Sequence, residues 1–304
     1  MSMMPLVSIV TPSFNQADYI EEAIRSVILQ DYDPVEHLIF DGGSTDATAA
    51  VAERYADRVR FTSESDRGQA HAVNKGFAAA RGEIVGWLNS DDFYYPGALR
   101  TVVDYMRAHP SCDALYGAAY YVDEAGCQLR AYPTGEPDDL RFGCFICQPS
   151  VFVRRTVLEK VGLLDESLSY CMDYELWLRI RDRHELHRIP EALAAYRLHD
   201  SSKTVAGQLD SRREVVRMMH RRYGSAPLTC LYGYADLLVR SKLGRRYGSA
   251  AGTVVNGLSA IAATAALAFV YHPIPKAEDF SLIRRRWARG SALAPGSLPG
   301  ATRT

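Results

Sequence analysis

The strongest constraint on the fold is the alternation of short apolar runs with amphipathic stretches over the first 100 residues. The apolar runs have the length of buried strands, and the stretches between them carry apolar residues at helical spacing. Strands and helices that alternate at this spacing form βαβ units with parallel strands and right-handed crossovers. The sequence therefore predicts an α/β fold with a parallel sheet. The predicted strands are Leu6–Thr11, His37–Phe40, Val59–Thr62 and Glu83–Leu88, and the predicted helices begin at Asp18, near Ser44, at Gly68 and at Pro96.

The pattern changes after residue 108. Asp113–Val122 and Gln128–Tyr132 alternate like the two strands of a hairpin, and Ser150–Val153 is a further strand candidate. Asp173–Arg183 has the periodicity of a helix, and the chain after Ser202 becomes helical and basic.

The charge of the chain is divided unevenly along its length. Residues 1–205 carry a net charge of −11 and residues 206–304 a net charge of +10, although the whole chain is close to neutral at −1. The near-neutral total gives no general attraction to nucleic acid, so no nucleic-acid partner is expected. The basic part favours anionic lipid or phosphate. We predict one domain over 1–205, a basic helical region over 206–290 and a disordered tail over 291–304.

Polar and acidic residues follow each of the four predicted strands. Because ligands of an open parallel sheet bind at the carboxyl ends of its strands, these residues are expected along one edge. Acids gathered at one edge are unfavourable unless a cation lies among them, and carboxylates suit Mg²⁺ and Mn²⁺. Such ions bind one or two carboxylates together with substrate phosphates, which indicates a nucleoside diphosphate ligand. The segments concerned are Thr11–Asn15, Asp41–Asp46, Glu64–Gly68 and Asn89–Asp92.

Three segments of the chain resemble the family 2 glycosyltransferases of the GT-A fold. The segments are 6–46 (with LVSIVTPSFNQADY and HLIFDGGSTDAT), 64–92 (ESDRGQAHAVNKGFAAARGEIVGWLNSDD) and 148–179 (QPSVFVRRTVLEKVGLLDESLSYCMDYELWLR). The resemblance implies a Rossmann-like, mostly parallel central sheet flanked by helices, followed here by a C-terminal helical extension. It also implies a nucleotide-sugar donor and a Mn²⁺ or Mg²⁺ ion.

The resemblance assigns roles on the donor side of the site. Asn89-Ser90-Asp91 occupies the D-x-D position, where Asp91 would bind the metal and Asn89 replaces the first Asp. Asp92 would support Asp91 or contact the donor sugar. The remaining residues implied to contact the nucleotide or the donor sugar are Pro12, Ser13, Asp41 (to the base), Asp66 and Arg67.

Two further residues complete the implied site. Asp173, in Met172-Asp173-Tyr174, matches the general base that removes the acceptor hydroxyl proton. His199 matches a His near the metal or the diphosphate and is a candidate ligand. The resemblance thus implies an inverting, metal-dependent glycosyltransferase that builds a cell-surface polysaccharide or glycolipid. Its acceptor would be the hydroxyl of a glycan, such as one linked to polyprenyl phosphate.

Several of these residues also have structural interpretations. Asp46 is interpreted as an acid at a helix start rather than as a ligand. Asp173 could serve only the start of its helix, and Arg67 could be a surface charge. Trp87 lies within an apolar strand and is expected in the core.

Other classes of function fit the sequence less well. A dehydrogenase requires a glycine-rich loop after the first strand, and Ser13-Phe14-Asn15-Gln16 contains no glycine. A nucleotidyltransferase would require a glycine-rich loop with a basic residue there. A non-catalytic protein that binds nucleotide sugar or glycan remains an alternative, because the Asn89 amide brings no charge to the metal.

The C-terminal region contains an uncharged segment that is a candidate for contact with a membrane. Thr253–Tyr271 lies within a stretch without formal charge and is nearly as long as the roughly 20 residues of a bilayer span. Basic residues flank it on both sides, so three interpretations stay open: a membrane-surface helix, a span or a buried helix. The N-terminus has no secretory pattern, which predicts a cytoplasmic protein bound at the inner face of the cytoplasmic membrane. The six cysteines are expected to be reduced.

Overall fold

The computed structural model describes residues 4–200, 202–203, 207–243 and 250–271. These residues form two compact units. The first contains the chain up to residue 137 together with 146–199, and the second contains 138–145 and the chain from residue 200. The predicted tail at 291–304 lies outside the described residues, and the domain boundary at 205 stays a prediction.

The first unit is built on a nine-stranded mixed sheet. The strands are β1 (Val7–Ser13), β2 (Val35–Asp41), β3 (Arg60–Ser63), β4 (Ile84–Trp87), β5 (Phe93–Tyr94), β6 (Ala114–Val122), β7 (Gln128–Ala131), β8 (Val151–Arg154) and β9 (Leu186–Arg197). Eight of them follow the order β3-β2-β1-β4-β8-β6-β9-β5, and β7 pairs with β6. Strands β3, β2, β1 and β4 run parallel to one another, as do β6 and β9, whereas β8 pairs antiparallel with β4 and β6, β7 with β6, and β5 with β9.

Helices flank this sheet, so the predicted α/β fold is confirmed. They are α1 (Ile20–Ile28), α2 (Thr48–Glu53), α3 (Gln69–Ala79), α4 (Ala98–Ala108), α5 (Arg155–Val161) and α6 (Met172–Arg181), with 3₁₀ turns at Pro137–Arg141 and Gln148–Ser150. All seven residues of β1 are buried, as expected for a parallel strand covered on both faces. The apolar stripe predicted for α1 is buried at Ile20, Ala23, Ile24 and Val27.

The structure differs from the sequence expectations at several elements, and the short strand β5 and the helix α5 were not predicted. Strand β9 was not predicted, because Pro190 and a run of alanines hide its strand pattern. Helix α1 begins at Ile20 rather than at Asp18, because the Gln16 carbonyl accepts the backbone N–H groups that a cap would otherwise satisfy. Helix α2 begins at Thr48, several residues later than expected.

The second unit is helical over the residues described. It contains α7 (Gln208–Tyr223), α8 (Leu228–Leu243) and α9 (Ala250–Tyr271), and α9 includes the uncharged segment considered for a membrane. No helix among the described residues combines the length and the apolar character needed to cross a bilayer. All six cysteines lie among the described residues, and none of them forms a disulfide bond.

Candidate active site

The carboxyl ends of β1 and β2 meet at Asp41. Ser13 lies opposite Asp41 in the parallel register, and the Ser13 carbonyl accepts a hydrogen bond from the Gly42 N–H at 2.8 Å. The Asp41 carboxylate accepts the N–H of Gly43 at 3.1 Å, both the N–H (2.8 Å) and the hydroxyl of Ser44, and the Ser63 hydroxyl at 2.6 Å. A carboxylate offers about four acceptor positions. The acid implied to bind the base is thus already satisfied by its own chain.

Two polar atoms beside this loop lack a partner among the described residues. Ser13 Oγ and Gln16 Oε1 are both buried and make no hydrogen bond there. Pro12, which precedes Ser13 in β1, is also buried. A buried polar group without a partner costs about 1–3 kcal/mol. A polar ligand that reached these atoms would remove this cost, as expected of a nucleotide pocket.

Both the oxygen and the nitrogen of the Asn89 side-chain amide form hydrogen bonds within the protein. Its Oδ1 accepts hydrogen bonds from Gln69 Nε2 and Trp87 Nε1, each at 2.9 Å. Its Nδ2 donates to Gln148 Oε1 at 2.8 Å and to Asp92 Oδ2 at 3.2 Å. The indole N–H can only donate, so the amide oxygen must face Trp87. Asn89 therefore connects the end of β4 with the start of α3 and the turn before β8.

Asp91 and His199 meet at the end of β4, although 108 positions separate them in the sequence. Asp91 follows the buried Ser90 and is itself partly exposed. His199 Nε2 lies 3.0 Å from Asp91 Oδ2, and the His199 side chain is buried. The Tyr19 ring packs on the imidazole with a centroid distance of 4.7 Å. The two predicted metal ligands thus lie together.

The buried Asp92 is held by backbone and amide donors. Besides Asn89, it contacts the Arg197 N–H, which donates to Asp92 Oδ1 at 2.9 Å. Burial, and secondly the charge of Asp91, raise the pKa of Asp92 well above its usual range. Of its two predicted roles, this position favours support of the Asp91 loop over contact with a sugar.

The Arg197 side chain is a feature of the site that the sequence interpretation missed. Its guanidinium is buried and donates to the carbonyls of Asp91 at 2.8 Å and Glu124 at 2.7 Å, and to the Glu22 carboxylate. Arg197 thus ties the Asp91 loop to α1 and to the turn after β6. The only sequence feature that pointed to Arg197 was its position two residues before His199. Its side chain is directed inward because of its place in β9, which the sequence did not predict.

Asp66 and Arg67 follow β3. Asp66 accepts the Gly68 N–H at 2.7 Å, and a Cβ placed on Gly42 would lie 2.9 Å from Asp66 Oδ2. Asp66 therefore lies beside the loop that follows Asp41. Arg67 is exposed and forms an ion pair with Glu166 at 2.7 Å. This pair lowers the pKa of Glu166.

Asp173 and Asp46 both lie at helix starts. Asp173 is half-buried in the first turn of α6, and its Oδ1 accepts the Tyr174 N–H at 2.7 Å. Its proximity to Asp91 and its role as a base stay predictions. Asp46 accepts the N–H groups of Thr48 at 2.9 Å and Ala17 at 3.0 Å, which confirms the interpretation as a helix-start acid. Trp87 is in the core, as predicted.

The donor set at Asp91 and His199 fits the implied divalent ion. A carboxylate oxygen suits Mg²⁺ or Mn²⁺, and an imidazole nitrogen suits transition metals. Within the described ranges, no three or more His, Cys, Asp or Glu side chains are grouped to hold a metal by themselves. Two protein ligands agree with an ion that takes its remaining ligands from substrate phosphates and water.

Comparison with known proteins gives a family match over β1 to β8 and α5, a stretch that includes Ser13, Asp41 and Asp91 but neither Asp173 nor His199. The family described as glycosyl transferase family 2 matches residues 8–162. An uncharacterized glycosyltransferase of Rickettsia typhi is 30% identical over 215 residues, which cover 66% of this chain and 66% of that protein. The chondroitin synthase of Escherichia coli is 28% identical over 243 residues, which cover 75% of this chain and 35% of the synthase. The matched stretch thus spans only part of either relative.

The fold is shared with solved glycosyltransferases. A mannosyltransferase from Pyrobaculum calidifontis in complex with GDP-Man and Mn²⁺ superposes with a TM-score of 0.59 at 20% sequence identity, covering 95% of this chain and 81% of that one. At this identity the likeness establishes the common fold, which agrees with the mixed sheet and flanking helices of the first unit.

Proposed function

The chain belongs to glycosyl transferase family 2, and on that premise we propose that it is an inverting, metal-dependent glycosyltransferase with a nucleotide-diphosphate sugar donor. The observation that carries the proposal is the Asp91–His199 contact at the end of β4, beside the polar ends of β1 and β2. The donor complex of the mannosyltransferase neighbour, which contains GDP-Man and Mn²⁺, supports the same substrate class.

The donor nucleotide would bind along the ends of β1, β2 and β3. Ser13 Oγ and Gln16 Oε1 are the unpaired atoms available to it. Asp41 would act by fixing the loop that forms the pocket wall, because its oxygens are occupied by Gly43, Ser44 and Ser63. Asp66 and the exposed Arg67 would lie beside the donor at the end of β3.

Asp91 and His199 would hold Mn²⁺ or Mg²⁺ together with the donor diphosphate. When bound, the ion would offset the negative charge that develops on the leaving diphosphate. Asp92, Asn89 and Arg197 would keep the Asp91 loop in position through the hydrogen bonds described above.

Asp173 would be the general base. It would accept the proton of the acceptor hydroxyl while that oxygen forms a bond to C1 of the sugar and the bond from C1 to the diphosphate breaks. One displacement at C1 inverts the anomeric configuration.

The acceptor would be the hydroxyl of a glycan or of a glycan linked to polyprenyl phosphate, in the synthesis of surface polysaccharide or glycolipid. The similarity to the chondroitin synthase supports a polysaccharide product. The positive charge of residues 206–304 supports a cytoplasmic enzyme bound peripherally to an anionic membrane.

Nucleotide release tests the proposed activity. Purified protein is mixed with a panel of nucleotide sugars, a glycan acceptor and Mn²⁺, and the free nucleoside diphosphate is measured. We expect Asp173→Asn to lower the rate by about 10²–10⁴-fold, as for loss of a general base. Asp91→Asn should raise the Mn²⁺ concentration needed for half-maximal rate.

A matched control replaces a carboxylate far from the site. Asp31→Asn changes an exposed acid paired with Arg100 and should leave the rate unchanged. Full turnover in both Asp91→Asn and Asp173→Asn would contradict the assigned roles. Tight nucleotide binding without any release would instead favour the non-catalytic alternative.

A further inference from the structure

Over residues 259–271, the outward face of helix α9 is made of apolar residues. The side chains of Ile261, Phe269 and Val270 are 60%, 87% and 60% exposed, and the alanines at 262, 265 and 266 are exposed on the same face. These positions repeat at helical spacing, so they form one continuous stripe. An apolar stripe of this kind in contact with water marks an interaction surface.

The opposite face of α9 is already occupied by its own unit. Ala260 is fully buried, and the Thr264 hydroxyl donates to the Ala260 carbonyl at 2.7 Å, so that its polar group is satisfied within the helix. At the C-terminal end, the Tyr271 carbonyl accepts the Ala226 N–H at 2.6 Å, and the Tyr271 ring meets His220 of α7. Packing against its own unit thus fixes which face of α9 points outward.

The charge around α9 indicates what the stripe would contact. Between Asp236 and Glu278 the sequence contains no acidic residue, whereas Arg240, Lys242 and Lys276 lie in this interval. Arg240 is exposed near the end of α8, where it forms an ion pair with Asp236 at 2.9 Å. A helix with an apolar face and basic surroundings favours the boundary between headgroups and acyl chains of an anionic bilayer.

We propose that the outward face of α9 docks the protein onto an anionic lipid bilayer, with Phe269 inserted at the headgroup–acyl boundary. A second copy of the chain fits this face less well, because both flanks of the stripe are basic in sequence and either dimer orientation would bring like charges together. The inference deepens the proposed membrane location and rests on it, but it does not depend on the transfer chemistry.

Vesicle flotation with the full chain tests the docking surface. The probes are vesicles of phosphatidylcholine alone and of equimolar phosphatidylcholine and phosphatidylglycerol. We expect the protein to float with the mixed vesicles, and to float less with phosphatidylcholine alone or at high salt, because salt screens the attraction. Absence of flotation, or equal flotation with both vesicles, would overturn the proposal.

Substitution of the stripe locates the contact. Phe269→Ser should lower the partition coefficient for mixed vesicles by at least about tenfold, because the variant loses the burial of a Phe side chain among the acyl chains. Leu129→Ser is the matched control, because Leu129 is 54% exposed on β7 and should not affect flotation. Equal flotation of Phe269→Ser and wild type would assign membrane binding to another surface.

A second variant keeps the test decisive if Phe269→Ser does not fold. Phe269→Trp retains the apolar character, and its added fluorescence should be quenched by lipids brominated in the acyl chains, whereas that of Leu129→Trp should not. Sedimentation without vesicles tests the second copy as occupant: a dimer abolished by Phe269→Ser, with unchanged flotation, would overturn the proposal. Nucleotide release measured on the same samples separates failure of docking from failure of the proposed activity.

Discussion

At the scale of single residues, the site is defined by how completely the hydrogen-bonding groups of each polar side chain are satisfied within the protein. Asn89 stands where the family pattern has an acid, but its two donor hydrogens point at Asp92 Oδ2 and Gln148 Oε1. Both of these atoms are acceptors. An amide therefore suits this position better than a carboxylate, because the two atoms opposite it accept hydrogen bonds and require a donor.

Asn89→Asp, which restores the family's acid, is expected to destabilise the protein. The new carboxylate would face two acceptors, and an unpaired buried polar group costs about 1–3 kcal/mol. Urea unfolding should show a lower free energy of unfolding than wild type at neutral pH. Asp31→Asn, on the surface, serves as the control. A variant as stable as wild type would show that the Asn89 contacts are not needed.

The buried His37 gives a second prediction at the residue scale. His37 Nε2 lies 2.8 Å from Thr11 Oγ1 between β1 and β2, and burial lowers the pKa of His37 from 6.5 to about 3. Below about pH 6.5 the His37 imidazole binds a proton in the unfolded chain, whereas in the folded chain it stays neutral. The contribution of His37 to the free energy of unfolding is therefore fully present above that pH and decreases as pH falls, by up to about 1.4 kcal/mol per pH unit.

Comparison with His37→Gln isolates this contribution. The difference in free energy of unfolding between wild type and His37→Gln should be constant above about pH 7 and should change in favour of the variant between about pH 6 and pH 5, in line with the linkage relation. Urea unfolding across this range measures it. A difference that does not vary with pH would mean that His37 titrates normally in the folded protein.

At the scale of elements, α3 approaches β1 closely through Gly76. A Cβ at this position would lie 2.1 Å from Val10 Cγ1, closer than two carbon atoms can approach. The close approach brings the start of α3 to the end of β4. There Gln69 Nε2 donates a hydrogen bond to Asn89 Oδ1. The spacing between helix and sheet thus affects the geometry of the site.

Gly76→Ala is expected to destabilise the protein, although alanine favours a helix. The overpacking cost of about 1–3 kcal/mol exceeds the gain in helix propensity of about 1 kcal/mol. In a Val10→Ala background both methyl carbons of Val10 are gone and the nearest remaining contact is its Cβ at 3.1 Å, so the same change should cost less. Thermal and urea unfolding of the four proteins give the coupling energy. Additive effects would argue against the close contact.

At the scale of the whole molecule, the site is assembled from segments far apart in the sequence. The ends of β1, β2, β4 and β9 contribute Ser13, Asp41, Asp91 and His199. A ligand that bridges these segments should protect them together, because it binds only the folded arrangement and stabilises it.

Hydrogen exchange tests this arrangement. With UDP or GDP and Mn²⁺, peptides covering 11–16, 41–46 and 89–92 should exchange more slowly than in the free protein. Peptides from α4 (Ala98–Ala108), which contributes none of the predicted site residues, should be unchanged. Removal of the metal with EDTA should reverse the protection at 89–92 first. Uniform slowing along the chain would indicate general stabilisation without a defined site.

The sequence by itself determined the strand–helix alternation of the first 100 residues and the polar turns that follow β1, β2, β3 and β4. These features could be predicted because hydrophobic periodicity and turn residues act between near neighbours. The family resemblance added Asp91 and His199 as a pair, and the structure brings them to 3.0 Å.

Only the tertiary structure decided how these groups are used. The pairing of β9 with β6, the burial of Arg197 beneath the Asp91 loop, and the satisfied oxygens of Asp41 depend on residues brought together across the fold. No local pattern encodes such contacts, because the free energy of a buried polar group depends on the partners that surround it after folding.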